Sequence, residues 1–231
     1  MKIFDLDSPL MNVLNKMADL MWLNILTLIC CIPIITAGAA FTSMHYVALK
    51  IVRNEESYIT RSFFKSFKTN FRQATLIWLM ILLIAAVLGG DYYIITKSGI
   101  QFSSVLVVLI MAAAVLVICT TLYVFPVLAK FDNTIMGTIR NAFIMSILQL
   151  PKTVVMFVMA FFPLIIYLVS LRLIPIIFLF GFSLPAYASA MLYNKFFQLL
   201  SEQEPAPEVS PEEDERVFHD EIDESIKIED K

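Results

Sequence analysis

Long stretches without a charged side chain dominate this sequence and limit what it can fold into. Together they make up more than half of the 231 residues. The stretches are residues 20–49, 73–90, 98–129, 153–171 and 173–194. A helix rises about 1.5 Å per residue, so about 20 residues cross a hydrocarbon core of about 30 Å. The pattern predicts an all-α, polytopic transmembrane bundle of about five spans in a cell membrane.

Domain boundaries follow from where these stretches end. We expect a helical membrane domain over residues 1–200 and an acidic, disordered tail over residues 201–231, because proline-punctuated acidic segments bury too little apolar surface to fold. The expected spans are 20–43, 73–93, 103–128, 153–171 and 173–194, and the expected basic loops are 50–72 and 130–152. The first apolar stretch is too long for a cleaved signal peptide and is interpreted as an uncleaved span.

The distribution of Lys and Arg predicts the orientation of the spans. Loops 50–72 and 130–152 contain nine basic residues, whereas the two alternate loops contain only Lys97 and Arg172. Cytoplasmic loops of membrane proteins accumulate Lys and Arg. With five spans, the N-terminus is then expected outside and the C-terminus inside the cytoplasmic membrane. Trp22 is expected near the outer edge of the first span.

Residues 60–72, "TRSFFKSFKTNFR", form the most patterned segment outside the spans. On a helix, its four phenylalanines share one arc and its four cations share the neighbouring arc. The segment predicts an amphipathic helix that contacts anionic lipid headgroups or a partner protein. Alternatively, the rings pack under the protein's own spans. The candidate contact residues are Arg61, Phe63, Phe64, Lys65, Phe67, Lys68, Phe71 and Arg72.

A proline and several small residues interrupt the first apolar stretch at residues 30–46, "CCIPIITAGAAFTSMHY". Pro33 lacks a backbone N–H and bends a helix, which a membrane protein tolerates where neighbours satisfy the freed carbonyl. Small residues four apart form a ridge that another helix can approach closely. The candidate kink and packing residues are Pro33, Thr36, Gly38, Ala40 and Thr42. A ligand site at a broken helix is the alternative interpretation.

Signatures of catalysis are scarce in this sequence. No Asp, Glu, Lys or Arg lies at mid-depth of a span, and His45 lies near the inner end of the first span. The sequence contains no Walker loop, no HExxH, no GxSxG and no cysteine spacing typical of a metal site. We therefore expect neither an enzyme nor a cofactor or metal ion. A proton-coupled transporter is disfavoured by the same pattern.

The segment 23–80 resembles the YesL-type family of bacterial integral membrane proteins, which is defined by a domain of unknown function. The resemblance covers roughly residues 5–200, with Ala37 replacing a larger aliphatic residue. The residues that carry it are Leu23-Asn24, Pro33-Ile34, Thr36, Gly38, Arg53, Glu55-Glu56, Phe63-Phe64, Phe67, Asn70-Phe71, Gln73-Ala74 and the later segment 125–143. Members of this family are often encoded beside carbohydrate-uptake transporters and polysaccharide-degradation genes. The resemblance thus implies an accessory role in carbohydrate uptake and no established activity.

Three functions remain open at the level of sequence, of which a lipid-interacting or envelope-assembly protein, suggested by the phenylalanine-rich residues 60–72, is the weakest. The first is a non-enzymatic accessory protein that binds a transporter or a signalling partner through its basic loops and tail. The second is a transporter or permease subunit for a neutral solute such as a sugar, for which five spans with few polar residues make a poor conduit without oligomerisation. The expected partners are the lipid bilayer and either a transporter or a second copy of this chain. Nucleic acid is not expected.

Overall fold

The structure, a computed structural model, describes residues 9–55, 58–97 and 103–203, and these residues are helical apart from short turns. Two turns of 3-10 helix, Ile34–Thr36 and Leu171–Leu173, lie between α-helices. The described α-helices are α1 Pro9–Cys31, α2 Ala37–Arg53, α3 Ile59–Lys97, α4 Ser104–Lys130, α5 Ile135–Leu148, α6 Leu150–Ala160, α7 Phe162–Val169, α8 Ile174–Phe180 and α9 Ser183–Gln203.

The predicted all-α fold is confirmed, and the predicted number of helices long and apolar enough to cross a membrane is confirmed with it. Five helical segments of the described chain have the length and hydropathy needed to cross a membrane, and α8 with α9 make a sixth if they are one span bent by 46°. The five segments are Leu10–Cys31, Ile34–Arg53, Ile59–Lys97, Ser104–Lys130 and Leu150–Val169. Orientation stays a prediction.

The chain divides into two units, residues 1–194 and residues 195–231. The second unit begins within α9, and the predicted disordered tail lies outside the described residues from residue 204 onward. The first nine residues of that unit are therefore helical, up to Gln203. Everything below concerns the described part of the first unit.

The segment expected to be one kinked span over residues 20–43 contains two helices in the structure. α1 ends at Cys31, Pro33 adopts an extended conformation (φ −76°, ψ 115°), and α2 begins at Ala37. The proline cannot donate the N–H that would continue α1, and its ring disfavours helix for the preceding residue. The expected single span is therefore corrected to a helix, a short 3-10 turn and a second helix.

Side-chain contacts with α3 show that α1 and α2 run in opposite directions. The indole Nε1 of Trp22 donates to the Thr60 hydroxyl (2.8 Å) at the start of α3, whereas the indole of Trp78 reaches the Ile34 carbonyl (2.8 Å) at the end of the α1–α2 turn. On the way back, α2 brings Lys50 to Ser62 (3.3 Å). α1 and α2 thus form a helical hairpin alongside the first half of α3.

The predicted amphipathic helix is the first third of α3 and is continuous with the following span. No break separates residues 60–72 from residues 73–97, so α3 has 39 residues and is about 58 Å long. The second basic loop, 130–152, is mostly α5, whose N-terminus is capped by the Thr134 hydroxyl accepting from the Gly137 N–H. The two expected C-terminal spans are each divided, at Phe161 and at residues 181–182.

The break between α8 and α9 is bound by one buried amide from α1. The Nδ2 of Asn24 donates to the carbonyls of Ile177 (3.2 Å) and Phe178 (2.6 Å). Its Oδ1 accepts from the N–H groups of Phe182 (2.8 Å) and Ser183 (3.0 Å). A helix end leaves carbonyls or N–H groups unsatisfied, and Asn24 satisfies both kinds at the same break.

Gly38 lies where α2 approaches α3 most tightly. A Cβ at this position would be 2.6 Å from the Ala74 carbonyl oxygen and 2.6 Å from the Trp78 Cβ. Since one of those atoms belongs to the backbone of a long helix, the collision cannot be relieved by a side-chain rotation. Glycine at this position therefore sets the separation of the two helices.

We predict that Gly38→Ala lowers the thermal stability of the purified protein by forcing α2 away from α3, and that Gly38→Leu lowers it further. Gly89→Ala is the matched control on α3, because nothing lies within 4 Å of its would-be Cβ and alanine favours helix. Melting in detergent measures both changes. Equal melting temperatures for Gly38→Ala and the wild type would contradict the close approach.

We predict that Asn24→Ala destabilises the protein by about 2 kcal/mol or more, because the Phe178 carbonyl and the N–H groups of Phe182 and Ser183 lose their partner, while the Ile177 carbonyl keeps the Gly181 N–H. Asn24→Asp is expected to destabilise at least as much, because a buried carboxylate places a charged oxygen against the Ile177 and Phe178 carbonyl oxygens in place of the donating Nδ2. Asn70→Ala serves as the control, because the Asn70 amide bonds only within α3, to Ser66. Thermal unfolding of the three variants ranks them. An Asn24→Ala melting temperature equal to that of Asn70→Ala would show that the hydrogen bonds of Asn24 do not stabilise the fold.

Candidate functional site

A groove with basic and aromatic walls lies where α1 meets the first turns of α3. We call it the basic groove. It has a volume of about 690 Å³. Its lining residues are Trp22, Tyr58, Ile59, Thr60, Arg61, Phe64, Lys65 and Lys68.

Three cations of the basic groove share one face of α3. Arg61, Lys65 and Lys68 are spaced four and three residues apart, which places them one above the other on a helix. All three are exposed, and none forms an ion pair with another residue of the described chain. Like charges along one face create a positive potential that an anion is needed to relieve.

The aromatic walls of the basic groove come from both helices. Trp22 is half-exposed and is held against α3 by the hydrogen bond from its indole to Thr60. Tyr58 and Phe64 are exposed beside it. Aromatic faces beside cations suit a ligand with an acidic group and an apolar or planar body.

The structure divides the eight predicted contact residues between the interior and the surface. Phe63 is fully buried and Phe67 is half-buried, and their rings are stacked with centroids 6.2 Å apart. These two phenylalanines therefore pack under the protein's own helices. The residues that are exposed are Arg61, Phe64, Lys65, Lys68, Phe71 and Arg72. Of these six, Phe71 and Arg72 lie beyond the basic groove.

The other lining residues of the groove are not among those that the sequence predicts: Trp22, Tyr58, Ile59 and Thr60. Trp22 was expected at the outer edge of the first span, but it lies beside Thr60, at the same end of α3 as the cations. The expectation assumed one helix from residue 20 to residue 43. Because the chain reverses at the α1–α2 turn, Trp22 on α1 and Lys50 on α2 lie near the same end of α3. Only the position of tryptophan near the charged end of an apolar segment hinted at an interfacial role.

The predicted kink residues lie in helix packing. Pro33 and Thr36 form the α1–α2 turn, where the Thr36 hydroxyl is 2.6 Å from the Cys30 carbonyl oxygen and 2.8 Å from that of Pro33. Ala40 and Thr42 are buried, and the Thr42 hydroxyl donates to the Gly38 carbonyl. The hydroxyl groups of this segment are therefore engaged with backbone.

A second cavity, with a volume of about 260 Å³, lies among the helices near His45. We call it the interior cavity. Phe41 is in contact there with the rings of Trp78, Phe125 and Phe182, at centroid distances of 5.8 to 6.2 Å. The Nδ1 of His45 is 3.3 Å from the Tyr193 hydroxyl. The walls are predominantly apolar and aromatic, so the cavity suits an apolar guest better than a polar one.

No three His, Cys, Asp or Glu side chains of the described chain come together in a way that could hold a metal ion. Cys30, Cys31 and Cys119 are free thiols.

Comparison with known proteins gives a family-model match to part of the chain. A family model described as "Protein of unknown function, DUF624" matches residues 20–92. This segment covers α1 from Leu20, all of α2 and α3 as far as Tyr92, and so includes every residue that lines the basic groove. No curated protein and no solved structure matches the chain.

We predict that replacing two adjacent phenylalanines by alanine lowers stability to very different extents. Phe63→Ala removes a fully buried ring and lowers stability by about 3–5 kcal/mol, whereas Phe64→Ala, whose ring is 40% exposed, changes stability by less than about 1 kcal/mol. Denaturation in detergent measures both. Equal losses of stability would show that the basic groove is part of the packed interior.

Proposed function

We propose that this integral membrane protein is a non-enzymatic accessory component that binds an acidic partner through the basic groove and serves carbohydrate uptake. The observation that carries the proposal is the basic groove itself. Three exposed cations without an ion-pair partner in the described chain line it together with three aromatic side chains.

The physical chemistry of the groove favours binding over catalysis. Lysine and arginine with exposed amino and guanidinium groups attract carboxylates or phosphates and raise association rates. The groove contains no histidine, cysteine or carboxylate among its lining residues that would act as a base or nucleophile. An acidic segment of a membrane-bound partner, presented at the same side of the membrane, fits this arrangement.

The link to carbohydrate uptake rests on the resemblance of residues 23–80 to the YesL-type family. Members of that family are often encoded beside carbohydrate-uptake transporters, and a transporter is therefore the class of partner that we propose. Segment 23–80 contains every lining residue of the basic groove except Trp22, which supports a role of the groove in that association.

A permease for a neutral solute such as a sugar is the second candidate, and the interior cavity is the observation in its favour. Sugars stack on aromatic rings, and Phe41, Trp78 and Phe125 supply them. A sugar also needs several free polar groups. The Trp78 indole is already bonded to Ile34, and the Thr121 hydroxyl is bonded to Val117. His45, whose Nδ1 is 3.3 Å from the Tyr193 hydroxyl, and Ser189 are the other polar side chains of the lining, so the cavity offers a sugar few free polar groups.

We predict that the double variant Lys65→Glu/Lys68→Glu loses its transporter partner when the protein is purified from native membranes. The wild type is expected to retain a stoichiometric partner that dissociates as salt is raised, because surface attraction is screened at high ionic strength. Lys97→Glu is the matched control, since Lys97 is at the other end of the same helix. Quantitative mass spectrometry of the purified complexes measures the ratio.

Two outcomes would contradict the proposal. Retention of the partner by the double variant, at wild-type stoichiometry and salt sensitivity, would exclude the basic groove as the contact. Sugar flux by the purified wild-type protein in liposomes, with no partner present, would favour the permease instead.

A further inference from the structure

We propose that the α1–α2 hairpin is a re-entrant element: it enters the bilayer from the side of the basic groove, buries its tip in lipid hydrocarbon, and returns to the same side. The partner of its exposed tip is therefore the acyl-chain region of the membrane. The inference concerns membrane insertion and is independent of what binds the basic groove.

The first argument is the depth that the hairpin reaches along α3. Its turn lies beside Trp78, through the hydrogen bond from the Trp78 indole to the Ile34 carbonyl. Trp78 is six residues, about 9 Å, beyond Arg72, the last cation of the first part of α3. It is still 19 residues, about 28 Å, short of Lys97 at the far end. Two helices that crossed beside α3 would turn near Lys97 instead.

The second argument is the chemistry of the tip. Four isoleucines project there without cover from the described chain: Ile29, Ile32, Ile34 and Ile35, with Ile32 77% and Ile34 68% exposed. On α3, just beyond Trp78, Leu79 and Leu83 are exposed as well. Branched aliphatic side chains around a turn at this depth contact hydrocarbon rather than water.

The third argument is the backbone of the turn, in which the carbonyls of Ile29, Cys30, Pro33 and Ile34 all have hydrogen-bond partners. Thr36 reaches the carbonyls of Cys30 and Pro33 with its hydroxyl, and its N–H donates to Pro33. The Ile29 carbonyl accepts from the N–H of Ile32, and the Ile34 carbonyl accepts from Ala37 and the Trp78 indole. Irregular backbone persists at membrane depth only where such partners replace water.

The cationic end of the hairpin is consistent with this arrangement. Lys50 and Arg53 lie in the last turn of α2, beside the first turns of α3, and Lys16 lies in the half of α1 on the same side as Trp22. A hairpin that returns to its own side puts Lys16 together with the basic residues of loop 50–72. The positive-inside pattern then places the N-terminal end of α1 in the cytoplasm, in place of the outside location expected from five spans.

Site-directed labelling of the full chain tests the proposal. In a background with alanine at Cys30, Cys31 and Cys119, single cysteines replace Leu10, Ile34, Glu55 or Lys97 and are exposed to a membrane-impermeant maleimide in intact cells and in inverted vesicles. We expect Leu10→Cys and Glu55→Cys to react only in inverted vesicles and Lys97→Cys only in intact cells. Ile34→Cys is expected to react in neither.

A nitroxide attached to Ile34→Cys distinguishes lipid from protein around the tip. In liposomes it is expected to be relaxed more strongly by oxygen than by a water-soluble nickel chelate, with the reverse order at Glu55→Cys. Labelling of Ile34→Cys from the outside would mean two complete crossings. Labelling of Leu10→Cys from the outside would mean one crossing. Access of the nickel chelate to Ile34→Cys would place the tip in water. Each of these three results overturns the proposal.

The wild-type chain provides a second measurement if the cysteine-free background fails to fold. An epitope tag added before Met1 is expected to resist external protease in intact cells and to be removed in inverted vesicles. Removal in intact cells would overturn the proposal.

Discussion

Hydrogen bonds from the Asn24 side chain join α1 to the break between α8 and α9, and the packing of the N-terminal helices against the C-terminal helices depends on them. Helices α8 and α9 are separated by two residues inside an apolar environment, and that break exposes carbonyls on one side and N–H groups on the other. Water is scarce there, so each unsatisfied group costs several kcal/mol. One carboxamide supplies two donors and one doubly accepting oxygen, and it bonds all four groups. Because Asn24 is on α1, the same bonds attach the N-terminal hairpin to the C-terminal helices.

The same constraint explains why proline and threonine recur at the other breaks. Pro151, Pro163 and Pro175 each occupy the first turn of a new helix, where a missing N–H costs nothing. At the α5–α6 break, the Thr153 hydroxyl lies 2.9 Å from the Ser146 carbonyl oxygen and 3.0 Å from that of Gln149. Short broken helices can therefore pack in a membrane because side chains replace the bonds that a continuous helix would make.

The sequence predicted the helical class, the number of long apolar helices and the cationic face of residues 60–72, because each depends on local composition and on a helical period. It did not predict the turn after Cys31. A proline inside an apolar run is compatible with a bend or with a reversal, and the choice depends on whether Gly38 can approach α3. That contact joins residues that are 36 to 40 positions apart in sequence. The location of Trp22 beside Thr60 follows from this reversal, so the pattern of neighbouring residues could not predict it either. The division of Phe63 from Phe64 depends on which rings α1 and α2 cover.

The length of α3 has a mechanical consequence. The helix begins at the basic groove and continues without a break for about 58 Å, and a continuous hydrogen-bonded helix transmits rotation with little bending. Beyond Ile77, both α3 and the facing first half of α4 are largely uncovered by the rest of the described chain. A tilt of about 5° at the first turn of α3 displaces its far end by about 5 Å. Motion at the first turn of α3 would therefore be transmitted past the part of the helix that α1 and α2 cover, to a far end against which few described residues pack.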